Sequence, residues 1–260
     1  MTILLLFLTG LLAGGFGALV GLGGGVIVIP ILTMLFHLPI HTAIGISLVG
    51  VIATSTGTAI VYVREGKANI RLGMTLELAT TIGAILGAVI AGYVGSKVLF
   101  LLFSAILTYN TYSMLRKNEE NHISEVAVSV DGNDNAYQIR NIPLGLFFSA
   151  IAGILSGLLG IGGGLVKIPV MYLLMGVPLK TAAATSNFMI GVTASASAFI
   201  YFLSGKLDVF AAVPVALGVF FGAMVGTRIN RQISTRSLKK IFVIVFAYVA
   251  VQMALKGLGE

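Results

Sequence analysis

The sequence has no cysteine, no tryptophan and three histidines, and only 10% of its residues are charged. Without cysteine, disulfides, thiolate metal sites and cysteine nucleophiles are excluded. Three histidines and no clustered carboxylates leave a metal ion without a ligand set, and nothing in the sequence implies a cofactor. A soluble surface needs charge on roughly a quarter of its residues, so soluble enzymes and disordered chains are excluded as well. Tyrosine and phenylalanine must supply any aromatic belt at a membrane interface. What is present is apolar: 57% of the 260 residues are hydrophobic, and the mean hydropathy is +1.04. The composition is that of an all-α integral membrane protein whose partner is the lipid bilayer. On such a chain the net charge of +7 speaks to orientation and not to nucleic-acid binding.

A bilayer core takes about 20 apolar residues of helix to cross. Long apolar segments run over 2–20, 43–63, 72–95 and 98–115, and again over 142–159, 182–203, 208–227 and 237–255; two short ones lie at 25–37 and 164–176. The first segment lacks a basic n-region and a small-residue cleavage site, so it reads as mature structure and not as a signal peptide.

Gly21-Leu22-Gly23-Gly24-Gly25 returns 139 residues later as Gly160-Ile161-Gly162-Gly163-Gly164. At the same offset Pro30 pairs with Pro169, Pro39 with Pro178, Ser47 with Ser186, Thr54 with Thr193, Tyr62 with Tyr201 and Tyr109 with Tyr248. Gap-free agreement of this extent makes the chain two copies of one unit. The expected divisions are a first membrane repeat over 1–117, a polar loop over 118–141 and a second membrane repeat over 142–260. Within the loop, Val126 to Val130 and Asn135 to Ile139 flank an Asp131-Gly132 turn, which reads as a small β-hairpin or as a solvated loop.

Basic residues near span ends mark the cytoplasmic side. If each short segment returns the chain to the side on which the preceding long segment began, twelve of the sixteen basic residues fall on one side. Fusing each long–short pair into one span removes the bias. The first topology places both termini outside and the 118–141 loop in the cytoplasm of an inner, plasma-membrane protein. Each five-segment repeat then crosses an odd number of times, and the second is inverted relative to the first. Inverted repeats with interrupted helices are a construction of secondary transporters, with the site at the repeat interface.

The glycine runs cannot continue a stable helix. A helix restarting after them exposes backbone N–H groups suited to an anion, which makes Gly23, Gly24, Gly25, Gly162, Gly163 and Gly164 candidate binding residues; close helix packing is the competing reading. A polar stripe follows each break: Ser47, Thr54 and Thr58 in copy one, and Ser186, Thr193 and Ser197 in copy two. Steps of seven and four keep each stripe on one helical face. Ser47 and Ser186 are candidates for the site or for helix packing, and Thr185 and Asn187 add polarity in copy two only. Lys167 has Val28 as its counterpart. A cation in the first turn of a helix opposes the dipole, so it expects an anionic ligand; the competing readings are snorkelling to the interface or a pairing with Glu77. Glu77, the one carboxylate well within a span, is a candidate for proton coupling or for an ion pair with Arg71. His37 and His41 flank an outer turn and are expected to be solvated there. The Gly83/Gly87 and Gly222/Gly226 pairs have the small-xxx-small spacing of helix packing.

The doubled motif, Gly21 through Pro30 and Gly160 through Pro169, with Ala43 to Ser47 and Ala182 to Ser186 downstream, resembles the signature of the sulfite exporter TauE/SafE family over the whole chain apart from the 118–141 loop. One departure is Ile46, where copy two has Thr185. The resemblance implies a permease for sulfite or a small organosulfur anion, working as an exporter. An anion channel of the same architecture shares every motif and is the alternative. An intramembrane hydrolase needs a nucleophile and a base within hydrogen-bond reach; no Gly-x-Ser-x-Gly turn is present and the histidines sit at span boundaries or in the loop, so the chain reads as no enzyme.

Overall fold

In a computed structural model, residues 2–20, 23–64, 66, 68–116, 138–230 and 235–259 are described. They form helices α1 (Thr2–Val20), α2 (Gly25–Met34), α3 (Ile40–Arg64), α4 (Ile70–Ala91), α5 (Ser96–Arg116), α6 (Ile142–Leu159), α7 (Gly164–Pro169), α8 (Leu179–Leu203), α9 (Val209–Asn230) and α10 (Thr235–Gly259). The order long, short, long, long, long occurs twice, as the sequence pattern predicts. The β-hairpin expected between Val126 and Ile139 falls largely on 117–137, outside the described residues.

Local chemistry sets the helix starts. Asn69 caps α4, its side chain accepting from the Leu72 amide at 2.9 Å, and Pro143 occupies the first turn of α6. In both glycine runs two successive residues take left-handed backbone angles: Gly23 and Gly24 at φ 80° and 74°, Gly162 and Gly163 at φ 74° and 73°. A side chain is disfavoured at such angles, and the chain turns sharply before α2 and α7 begin. The repeats then diverge at their shared proline. The α2 helix runs on through Pro30 to Met34. At Pro169 α7 gives way to a π turn over Val170–Leu174.

Six of these helices, α1, α3, α4, α6, α8 and α9, are long and apolar enough to cross a membrane; α5 and α10 have 21 and 25 residues. Large apolar side chains such as Leu78, Ile82, Phe210 and Leu217 point outward. Polar ones such as Ser47, Thr54, Asn187 and Thr193 are buried. That inside-out distribution suits a lipid exterior.

Helices pair mainly between repeats: α1 with α9, α4 with α6, α3 with α8 and α5 with α10. Shifting every residue by the repeat offset turns the α1–α9 pair into the α6–α4 pair and maps the other two onto themselves. Glycine permits the closest approaches. A Cβ on Gly14 would lie 2.1 Å from the Val219 carbonyl oxygen, and one on Gly83 would lie 2.1 Å from that of Ala150. Gly87, Gly222 and Gly226 make equivalent approaches, as their small-xxx-small spacing anticipates.

These contacts also set directions. Gly10 meets Val215 while Gly15 meets Gly222, so α1 and α9 run the same way; Gly83 against Ala150 and Gly87 against Ile154 do the same for α4 and α6. The start of α3 meets the end of α8 through Gly45 and Lys206. Ser104 donates to the Ala250 carbonyl at 2.8 Å and Gly257 packs on Phe100, so α5 and α10 run oppositely.

Candidate functional site

The two glycine breaks meet at the centre of the molecule. A Cβ on Gly23 or on Gly162 would strike the same two side chains, Val51 of α3 and Ile190 of α8. Val51 and Ile190 are repeat counterparts in sequence. Gly25 lies against the Gly160 carbonyl, with 2.4 Å from that oxygen to a Cβ built on Gly25. The first turns of α2 and α7 carry no side-chain cap.

Around this meeting point the predicted site residues have distinct fates. Ser47 donates to the Gly160 carbonyl at 2.9 Å, tying α3 to the opposite break. Thr54 donates to the Gly23 carbonyl at 3.2 Å. Thr185 accepts from the Asn69 amide at 2.9 Å, which ties α8 to the start of α4. These three contacts serve the framework. The hydroxyl of Ser186 and the side-chain carbonyl of Asn187 are buried without a hydrogen-bond partner. The Asn187 backbone carbonyl accepts from Ser55 at 2.6 Å, locking α3 to α8 where they cross. Burying a polar atom unpaired costs about 1–3 kcal/mol, so Ser186 and Asn187 are present against the interest of stability.

Lys167 is 1% exposed and Glu77 is 4% exposed. The Lys167 ammonium lies 3.3 Å from Glu77 Oε2, and Thr193 bridges them. Lys167 donates to Thr193 Oγ1 at 3.3 Å, and Thr193 donates to Glu77 Oε1 at 2.5 Å. Thr81 adds a second donor to that oxygen at 3.3 Å. Glu77 thus pairs with Lys167 of the other repeat and not with Arg71, which is exposed near the start of α4. Thr193 is the functional candidate that the pattern of polar residues carried without distinction. It shares its face of α8 with Ser186, seven residues away.

The repeat counterparts of Lys167, Glu77 and Thr193 are Val28, Ala216 and Thr54, so one half of the pseudo-symmetric centre is charged and the other is not. The unpartnered oxygens obey the same asymmetry. Among the described residues they belong, besides Ser186 and Asn187, to Ser149 and Ser156, whose counterparts in the first repeat are Gly10 and Gly17. Comparing the repeats position by position would have exposed that difference from sequence.

His41 departs from its expected solvation. Its Nε2 lies 3.0 Å from the Ala91 carbonyl and 3.1 Å from that of Val94, and Lys206 donates to the Gly92 carbonyl at 3.1 Å. Both side chains close the C-terminal end of α4, whose last carbonyls have no partner within the helix.

The family described as Sulfite exporter TauE/SafE matches residues 6–253. The chain belongs to that family. It is 27% identical to the probable membrane transporter protein YunE of Bacillus subtilis over 99% of both chains. It is 30% identical to the probable membrane transporter protein YdhB of the same organism, over 88% of this chain and 89% of the relative. The Sulfite exporter TauE/SafE family protein 1 of Arabidopsis thaliana is 33% identical over 53% of this chain and 29% of its own length. No solved structure shows a significant match. The chain is therefore a multi-pass membrane transporter of the TauE/SafE family.

Proposed function

We propose that the chain is a secondary carrier that moves sulfite or a related small organosulfur anion outward across the inner membrane by alternating access. The observation that carries this reading is a buried lysine on the helix restarting at the second glycine break, with the unpartnered Ser186 hydroxyl, a potential donor, on the adjoining helix. The anion is held by the Lys167 ammonium, by the Ser186 hydroxyl acting as donor and by the Asn187 amide, beside the uncapped first turns of α2 and α7. Gly23 to Gly25 and Gly162 to Gly164 let it approach the backbone. Ser47 and Thr54 position the two breaks, and Thr185 holds α8 to the start of α4, without binding. The sulfur oxyanion and the direction follow the family's name.

The antiparallel course of counterpart helices supports inverted repeats, with both termini outside and the 118–141 loop cytoplasmic. Two equivalent half-structures of opposite orientation can exchange conformations, which exposes the centre to each side in turn. A carrier is favoured over a channel because Gly23 and Gly162 close against Val51 and Ile190 at the crossing.

Uptake of labelled sulfite and of a panel of alkylsulfonates into proteoliposomes tests the reading. Saturable uptake that Lys167→Ala reduces at least about tenfold is expected; one lost charge-assisted hydrogen bond amounts to about 1.5–3 kcal/mol. Absence of uptake for every anion, or uptake that Lys167→Ala leaves unchanged, refutes the proposal. Large unitary currents would establish the channel instead.

A further inference from the structure

We infer that Glu77 is a counter-ion displaced by the transported anion, so that each anion crosses together with one proton. This rests on the anion-carrier reading above and adds its coupling.

The geometry places two charges in one buried cluster built from both repeats. Lys167 comes from α7, directly after the second glycine break, and Glu77 comes from α4 of the first repeat, with 3.3 Å between Nζ and Oε2. Thr193 of α8 touches both, as acceptor from the ammonium and donor to the carboxylate. Among the described residues no other charged side chain is in contact with the pair. α6 carries no ionisable side chain. Arg71 is exposed. The Tyr201 hydroxyl, about two turns beyond Thr193 on α8, donates to the Gly157 carbonyl at 3.2 Å. Tyr172, half-buried on the π turn, and Lys180, at the start of α8, are the other titratable groups on the neighbouring elements.

Charge balance then decides which states can reorient. With the ion pair closed, the centre is neutral. An anion arriving on Lys167 while Glu77 stays ionised makes it negative, and an uncompensated buried charge is strongly unfavourable. A proton on Glu77 restores neutrality. The loading step is therefore complete in atoms and charge. A proton from the aqueous phase bonds to Glu77 Oε2, the oxygen that had faced Lys167. The ammonium keeps its protons and turns its N–H groups to the anion. The neutral carboxyl remains hydrogen-bonded to Thr193. On the other side the anion leaves, the proton leaves Oε2 for water, and the ion pair closes again.

The half-site related by pseudo-symmetry has Val28 and Ala216 in the charged positions, so the chain has one such exchange centre and moves one proton per cycle. For a monovalent anion the cycle carries no net charge. Its direction follows the sum of the anion and pH gradients, and export occurs when the outward anion gradient exceeds an inward proton gradient.

The full chain in proteoliposomes, with pyranine inside and a labelled anion outside, tests this. Labelled sulfite and the alkylsulfonate panel serve as probes. An inward gradient of any monovalent anion that the wild type transports should acidify the lumen by about one proton per anion, and a valinomycin clamp should not change the rate. In Glu77→Gln the empty carrier retains a lone buried ammonium. Net uptake should then fall roughly a hundredfold or more, while exchange of internal for external anion, in which the carrier is always loaded and neutral, continues. Anion uptake by the wild type without proton movement overturns the coupling and leaves anion carriage standing. No movement of any anion removes the carrier reading and this one with it. Net uptake by Glu77→Gln that still moves protons, or loss of exchange in a Glu77→Gln protein that remains folded, also overturns it. Should Glu77→Gln not fold, Glu77→Asp decides: a slower cycle that keeps one proton per anion is expected, and uncoupled anion uptake refutes the proposal.

Discussion

The buried Lys167–Glu77 pair makes an unusual demand on stability that a double-mutant cycle can measure. Lys167→Met leaves a carboxylate with only Thr193 and Thr81 as donors. Glu77→Leu leaves an ammonium with only Thr193. Removing one member of a buried pair costs about 3–5 kcal/mol, because the other charge remains out of water. Replacing both by apolar residues of similar volume is close to neutral, or stabilising by about 1–4 kcal/mol. For a chain of this size about 1 kcal/mol corresponds to a shift of about 2–4 °C in melting temperature. Each single variant in detergent is thus expected to melt about 6–20 °C below the wild type. The Lys167→Met/Glu77→Leu protein should recover to the wild-type value or above it. It should nevertheless be inactive in anion uptake, which separates the role of the pair in transport from any role in folding. Single variants that melt within about 2 °C of the wild type would mean that the pair is worth no more than an exposed bridge. A double variant whose loss is the sum of the singles would mean that the two charges do not interact. Either result refutes the argument from burial.

Ser186→Ala and Asn187→Leu, the latter installing the counterpart residue of the first repeat, should leave melting unchanged or raise it, since each removes an unpaired buried oxygen. Anion affinity in the uptake assay should weaken about tenfold in each, for the loss of a hydrogen bond of about 1–1.5 kcal/mol; unchanged affinity would exclude them from the site. Gly14→Leu must separate α1 from α9, because a Cβ at Gly14 already lies 2.1 Å from a backbone oxygen. Folded protein by size-exclusion should fall severely, whereas Gly95→Ala, with nothing within 4 Å, should keep the packing intact. His41→Ala removes a cap from the end of α4 and should lower stability by about 1 kcal/mol, read as melting temperature. The absence of cysteine makes topology directly testable: single cysteines at Val126 and Lys97 should react with impermeant maleimide from opposite sides of the membrane, and labelling of both from one side would refute the proposed orientation.

Much of this architecture was legible in one dimension. Length and apolarity mark the spans, because a bilayer sets the number of residues a helix needs. A fixed repeat offset marks two copies, because each carries the same break, proline and polar stripe. Glycine pairs announced their packing faces by spacing alone. Gly23-Gly24 and Gly162-Gly163 announced the two breaks, because no other residue tolerates consecutive left-handed angles so readily. Local signals of this kind survive in sequence since their cause lies within a few residues.

What the three-dimensional structure decided is who meets whom. Ser47 and Ser186 are counterparts with identical spacing, yet one donates to Gly160 while the other has no partner. His41, at an apparent boundary, reaches carbonyls 50 and 53 residues away. Lys167 could have faced an anion or Glu77 by sequence, and its nearest oxygens belong to Glu77 and Thr193. Partnerships across 90 or 116 residues arise from the close packing of α4, α7 and α8. No periodicity along the chain records them, because they depend on the relative placement of elements whose separate formation is indifferent to the contact.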